Sequence, residues 1–145
     1  LPDLDDLRQL LPLALILMIW MNDTMAYIGG SFIGKTPFSA ISPKKTWEGT
    51  LGGALLTLVG AAVWAYYSPY KQIFTFTDWM VLAGLAVVAG TAGDLLESKL
   101  KRLADVKDSG TLMPGHGGAL DRFDSLLVTL PFAFCYVCVF MDLSF

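Results

Sequence analysis

Charge is what this sequence has least of. Only 16% of its 145 residues are Asp, Glu, Lys or Arg, against about a quarter in an ordinary soluble domain. With 54% hydrophobic residues and a positive mean hydropathy, that shortage excludes a water-soluble globular fold and argues for an integral membrane protein. Histidine occurs once and cysteine twice, so neither a histidine cluster nor a pair of CxxC motifs is at hand for zinc. Cys135 and Cys138 stand i, i+3 inside an apolar run, which predicts small packing residues and no disulfide. There is no internal repeat and no low-complexity tract. Nothing at the start reads as a cationic leader with a cleavage site, and a chain that opens on Leu1 is expected to be a piece of a longer protein.

The charge that is present gathers between long apolar runs. The expected fold is all-α, a polytopic integral membrane protein with about four transmembrane helices in a single membrane domain covering residues 1–145. The run Leu10 to Met21 is shorter than the ~20 residues a spanning helix takes. It reaches that length by continuing through Asn22, Asp23 and Thr24 to about Ile33. An aspartate there is costly and should face a protein interior or a wet cavity; the alternative is a helix that ends at Met21 and is capped in water. A polar connection follows at 34–49, where Ser42 and Pro43 read as an N-cap and first helical position leading into a second span, about Thr50 to Tyr67. The loop Ser68 to Asp78, a third span from about Trp79 to Leu96, and a fourth from about Phe123 to Met141 complete the series. Trp79, Tyr66, Tyr67 and Tyr70 are expected to form an interfacial aromatic belt. Glycines in the second and third spans allow close helix approach, and Gly30/Gly34 and Ala89/Gly93 would suit a homodimer. Alternating spans put 34–49 and 98–122 on one side. Those segments hold Lys35, Lys44, Lys45, Lys99, Lys101, Arg102, Lys107 and Arg122, leaving only Arg8 and Lys71 for the other. The basic side should be cytoplasmic, at a cell inner membrane, with both chain ends outside.

Between the third and fourth runs lies a dense polar island, Ser98 to Asp124. At its entry Asp94, Ser98 and Lys101 are spaced i, i+4, i+7 and form one helical stripe flanked by Glu97. An ordinary helix end would account for Lys99, Lys101 and Arg102, which complement the dipole, but not for Asp94. Pro114, Gly115, Gly117 and Gly118 make a loop that can bring backbone N–H groups close to a ligand, at the start of the next helix, where phosphate is readily bound. Asp121 and Asp124, at i, i+3, share a face there. Paired carboxylates near phosphates are the usual way to hold Mg²⁺, and Asp108 could give a third oxygen. His116 either faces a ligand or braces the loop. Cations with a divalent metal stabilise charge on a transferring phosphoryl or nucleotidyl group, and the apolar surroundings suggest that one substrate is a lipid.

The island reads Ser98-Lys99-Leu100-Lys101-Arg102, Lys107-Asp108-Ser109-Gly110, Pro114-Gly115-His116-Gly117-Gly118, Asp121-Arg122-Phe123-Asp124. This order and spacing resemble the signature of the phosphatidate cytidylyltransferases, the CDP-diacylglycerol synthases; Met113 and Ala119 depart mildly from it at apolar positions. Ile41 to Gly49 and Asn22-Asp23-Thr24 look like that family too. The resemblance implies CTP plus phosphatidic acid giving CDP-diacylglycerol and pyrophosphate, with Mg²⁺ as one ion or two. It implies Asp108, Asp121 and Asp124 as metal ligands, joined by Lys101 and His116 in the catalytic set. Ser98, Arg102, Lys107, Gly117, Gly118 and Arg122 would bind the nucleotide and its phosphates, with Lys44, Lys45 and Asp23 in support. Membrane lipids and no nucleic acid would be the other partners. The family's enzymes are longer, so the chain resembles their C-terminal catalytic portion. The readings that compete are a CTP-dependent transferase or kinase acting on an ether lipid or polyprenol, and a non-catalytic helix bundle in which Asp23 and Asp94 line a conduction path.

Overall fold

The computed structural model describes residues 4–40, 42, 44–106 and 120–141, and within them not the side chains of residues 4, 7 and 120–122. Four helices make up the described chain: α1 Leu4–Ile33, α2 Trp47–Tyr67, α3 Phe76–Leu103 and α4 Leu120–Phe140. No strand occurs among the described residues, only an isolated bridge between Pro37 and Thr46. All four helices are long and apolar enough to cross a membrane. Large apolar side chains such as Leu17, Phe32, Leu55, Val88, Phe134 and Phe140 are exposed along them, as suits helices whose outer solvent is lipid. An integral membrane protein follows. The chain divides into two compact units, residues 1–87 and 88–145.

In the first unit, α1 runs unbroken past Met21, so the reading that ends it there does not hold. Its 30 residues reach about 45 Å at 1.5 Å per residue, more than the ~30 Å hydrocarbon layer. Asn22 and not Asp23 is turned inward: Asn22 is 3% exposed while Asp23 lies on the surface. Successive helical residues point about 100° apart, and only one of the two can face α2.

The α1–α2 contact is built from small residues. On α2 the buried positions are Gly49, Gly53, Thr57, Ala61 and Ala65, a small residue at every fourth place and hence one continuous stripe. A Cβ at Gly49 would stand 2.5 Å from the Ala26 carbonyl oxygen and 2.6 Å from the Gly30 nitrogen. One at Gly53 would lie 2.7 Å from the Asn22 carbonyl oxygen and 2.8 Å from the Ala26 nitrogen. The backbones themselves touch, which is how membrane helices associate when burial from water offers no drive. Gly30 and Gly34 are engaged within the chain, by Gly49 and Thr46.

Two further expectations do not hold in this unit. Helix α2 does not begin at Ser42; Ser42, Lys44 and Lys45 are non-helical, and the N-cap is Thr46, whose hydroxyl accepts the Gly49 N–H at 3.2 Å. The chain doubles back instead, with Phe38 N–H donating to the Lys45 carbonyl at 2.7 Å and Trp47 N–H to the Thr36 carbonyl at 3.1 Å. That antiparallel return keeps Lys45 and Thr46 out of the helix. Trp79 is not in an interfacial belt but 0% exposed, packed with Phe74 at 4.9 Å and Trp64 at 6.3 Å between ring centroids. The cause is a capping box that starts α3 three residues early: Thr75 Oγ1 accepts the Asp78 N–H at 3.3 Å, and Asp78 accepts the Thr75 N–H at 2.8 Å. Tyr66 and Tyr67 do lie exposed, with Lys71 Nζ 5.0 Å from the Tyr66 ring centre. Replacing Thr75 by alanine is expected to cost about 1 kcal/mol, measured by thermal unfolding in detergent.

In the second unit α3 meets α4 at Gly93, where a Cβ would come 2.9 Å from the Asp124 carbonyl oxygen and 3.0 Å from Val128 Cγ2. Helix α4 buries Ser125, Thr129, Ala133 and Val137, an i, i+4 stripe in which Thr129 returns its hydroxyl to the Ser125 carbonyl at 2.7 Å. Cys135 and Cys138 are free thiols, as expected, but both are exposed. They face away from the i, i+4 stripe and so fill no intrachain core position.

Candidate active site

The end of α3 carries the first half of the polar island. Glu97 is 4% exposed and sits 3.1 Å from Lys101 Nζ across one helical turn, the two side chains being 5% and 23% exposed. An i, i+4 acid–base pair is an ordinary helix contact, but here it is largely withdrawn from solvent, where a charge needs a partner. Asp94 and Ser98 are half-buried beside it, and Arg102 is exposed. The stripe expected from Asp94, Ser98 and Lys101 is therefore present on the helix, flanked by Glu97, the most buried of the four. The i, i+4 spacing of Glu97 and Lys101 was the signal for this pair.

Helix α3 stops in a way that turns the chain sharply. Asp105 has φ of 56°, and the N–H groups of Asp105 and Val106 reach back to the carbonyls of Arg102 and Lys101 at 3.2 and 2.9 Å. This is a Schellman closure with aspartate at the left-handed position where glycine is usual; aspartate is among the few other residues that tolerate it. It satisfies the carbonyls of Lys101 and Arg102 themselves. Lys107, Asp108, His116, Gly117 and Gly118 lie outside the described residues.

The second half begins with α4. Asp121 and Arg122 belong to its first turn by backbone. Asp124 is half-buried, and its Oδ1 accepts the Ser125 N–H at 2.6 Å. Because Gly93 lies against the Asp124 backbone, the α3 stripe that opens at Asp94 begins one residue from the level of Asp124. Among the described residues no three His, Cys, Asp or Glu side chains are gathered for a metal; of the three expected ligands, only Asp124 has a described side chain.

Lys44 and Lys45 belong to the first unit, on the returning arm of the α1–α2 connection, Lys44 exposed and Lys45 half-buried. That connection is tied by Glu48, to which no spacing in the sequence assigns a role. Glu48 accepts hydrogen bonds from the N–H groups of Lys35 and Thr36, both at 3.2 Å, and from the Thr36 hydroxyl at 2.9 Å.

A sequence profile of the cytidylyltransferase family matches residues 6–140, which takes in α2, α3, α4 and nearly all of α1. The chain belongs to the cytidylyltransferase family. Members with assigned names are similar along most of it. Phosphatidate cytidylyltransferase of Bacillus subtilis is 43% identical over 126 residues, 85% of this chain and 45% of that protein. The Synechocystis enzyme of the same name is 46% identical over 127 residues, 85% of this chain and 41% of that protein. That of Haemophilus influenzae is 39% identical over 132 residues, 89% and 46% respectively. The chain thus spans less than half the length of these curated relatives.

Proposed function

We propose that this cytidylyltransferase-family chain carries the catalytic part of a phosphatidate cytidylyltransferase, which transfers CMP from CTP to phosphatidic acid and releases pyrophosphate. The observation that carries the reading is the family match over residues 6–140, which contains the whole island Ser98 to Asp124. An oxygen of the lipid phosphate attacks the α-phosphorus of CTP, a P–O bond forms, and the bond to the β-phosphate breaks. The nucleophile is already anionic, so no strong base is required; positioning and charge neutralisation supply the rate. Lys101, Arg102, Lys107 and Arg122 bind phosphate oxygens, Lys44 and Lys45 assist, and Ser98 together with His116, Gly117 and Gly118 shapes the nucleotide pocket. Asp108, Asp121 and Asp124 would hold Mg²⁺. Their hard carboxylate oxygens fit that ion, as does the seat of Asp124, half-buried on the opening turns of α4 with one oxygen already oriented by a backbone N–H. When bound, the ion neutralises charge on the phosphates. The excess of lysine and arginine in 34–49 and 98–122 supports a cytoplasmic site at the inner membrane. A homodimer is part of this reading, drawn from the Gly30/Gly34 and Ala89/Gly93 spacings, of which Gly30, Gly34 and Gly93 also meet atoms of the chain itself.

Incorporation of label from CTP into chloroform-soluble product tests the reaction in the intact protein. Asp124→Asn is expected to lower it by about a hundredfold or more with the fold retained, since the asparagine can still accept the Ser125 N–H. Undiminished product would remove Asp124 from the site. Release of CDP in place of pyrophosphate would instead identify a kinase.

A further inference from the structure

Glu48 opens α2 but holds the far end of the connection. Its Oε2 takes the N–H groups of Lys35 and Thr36 and its Oε1 takes the Thr36 hydroxyl, so three bonds cross twelve or thirteen positions of sequence. They work with a short ladder: Trp47 N–H to the Thr36 carbonyl, Phe38 N–H to the Lys45 carbonyl, and Lys45 N–H to the Ser42 carbonyl at 3.2 Å. The Phe38 and Trp47 rings meet across it, tilted at 45° with centroids 4.5 Å apart. Residues 35–38 and 45–47 are thereby fixed side by side, and the register between them decides where Lys44 and Lys45 project. A surface glutamate gives up rotamer freedom to be held in one geometry, and charge-assisted bonds to backbone N–H groups are strong enough to offset that. Without the carboxylate, the Lys35 and Thr36 N–H groups lose an anionic acceptor and the outgoing arm is left tied only by the ladder.

We propose that Glu48 is a positioning residue: by clamping Lys35 and Thr36 it fixes the connection so that Lys44 and Lys45 meet the phosphate oxygens of a substrate. The inference rests on the reading of Lys44 and Lys45 as phosphate-binding residues given above. The shared ligand chemistry is a phosphate anion, carried either by CTP or by phosphatidic acid.

The test uses the intact protein in detergent, with KM measured separately for CTP and for phosphatidic acid to tell the two sources apart. Glu48→Gln is expected to raise KM for one of them about tenfold while kcat changes much less. Lys44→Ala/Lys45→Ala is expected to raise the same KM, and adding Glu48→Gln to it to give no further rise, because both changes act through one contact. Trypsin should cut after Lys44 and Lys45 faster in Glu48→Gln than in the parent protein, a readout independent of activity. Thr36→Val, which removes a single partner of the carboxylate, should move KM in the same direction by a smaller factor and serves if Glu48→Gln does not fold. Effects that multiply in the triple variant, or a lowered kcat at unchanged KM, would overturn the positioning role and leave Glu48 as a stabiliser of the loop. Wild-type KM for both substrates in Lys44→Ala/Lys45→Ala would overturn the phosphate reading of the lysines, and the role of Glu48 with it, even if the trypsin result stood.

Discussion

Gly49→Ala is expected to lower the unfolding midpoint in detergent sharply, and Gly52→Ala, three residues along the same helix, to leave it unchanged or raise it. The new methyl at Gly49 would meet the Ala26 carbonyl oxygen at 2.5 Å and the Gly30 nitrogen and Cα at 2.6 and 2.7 Å. These are backbone atoms of α1, which cannot rotate aside as a side chain can, so the helices must separate. Forced overpacking costs about 1–3 kcal/mol in a well-packed core. The upper end applies here, because separation also loosens the contacts that follow at Gly53, Thr57, Ala61 and Ala65. Nothing lies within 4 Å of a Cβ at Gly52, and there alanine replaces a poor helix former with a good one, worth about 0.5–1 kcal/mol. Larger residues should widen the gap: Gly49→Leu is expected to abolish the folded first unit. Equal midpoints for Gly49→Ala and Gly52→Ala would show that α1 and α2 do not meet along this stripe.

The contrast between Gly49 and Gly52 also shows where reading the sequence stops. The four spans were legible from apolar run length, as was the continuation of α1 through Asn22, Asp23 and Thr24. Which glycines mattered was not, since Gly52 and Gly53 are neighbours in sequence but point about 100° apart on the helix, and only the partner helix decides between them. Ser42-Pro43 has the composition of a helix start, and that local preference lost to the pairing of Phe38 with Lys45 and to the better-placed cap at Thr46. At Trp79 the sequence does carry the signal: Thr75 and Asp78 have the spacing of a capping box, and a helix that begins there carries Trp79 into the cluster with Phe74 and Trp64. The site is legible mainly as a pattern of residue types. Spacing gave the α3 stripe and the pair on α4, but Glu48 could not be assigned from spacing, because its partners are brought to it by a loop whose path no periodicity describes.

Removing either member of the Glu97–Lys101 pair is expected to destabilise the second unit by about 3 kcal/mol, the low end for a broken buried pair because Lys101 retains some route to solvent. The carboxylate is 5% exposed and stands 3.1 Å from the ammonium group. Glu97→Gln takes a close carboxylate from the lysine, and Lys101→Met takes a close cation from a carboxylate that has little access to water. Removing both loses their mutual contact only once, so Glu97→Gln/Lys101→Met should be destabilised by less than the sum, with a coupling of about 1–3 kcal/mol. Activity should not follow stability. If Lys101 contributes charge to the phosphates in the transfer step, Lys101→Met and the double variant both lose about a hundredfold or more in kcat, although the double variant is more stable than the two single losses would sum to. Glu97→Gln, which keeps the ammonium group but no longer aims it, should fall between the parent protein and Lys101→Met. Unfolding midpoints and CTP incorporation on the same four proteins decide the matter. Additive stabilities would mean that the pair is not coupled in the folded protein, and recovery of activity in the double variant would mean that Lys101 serves the fold and not the substrate.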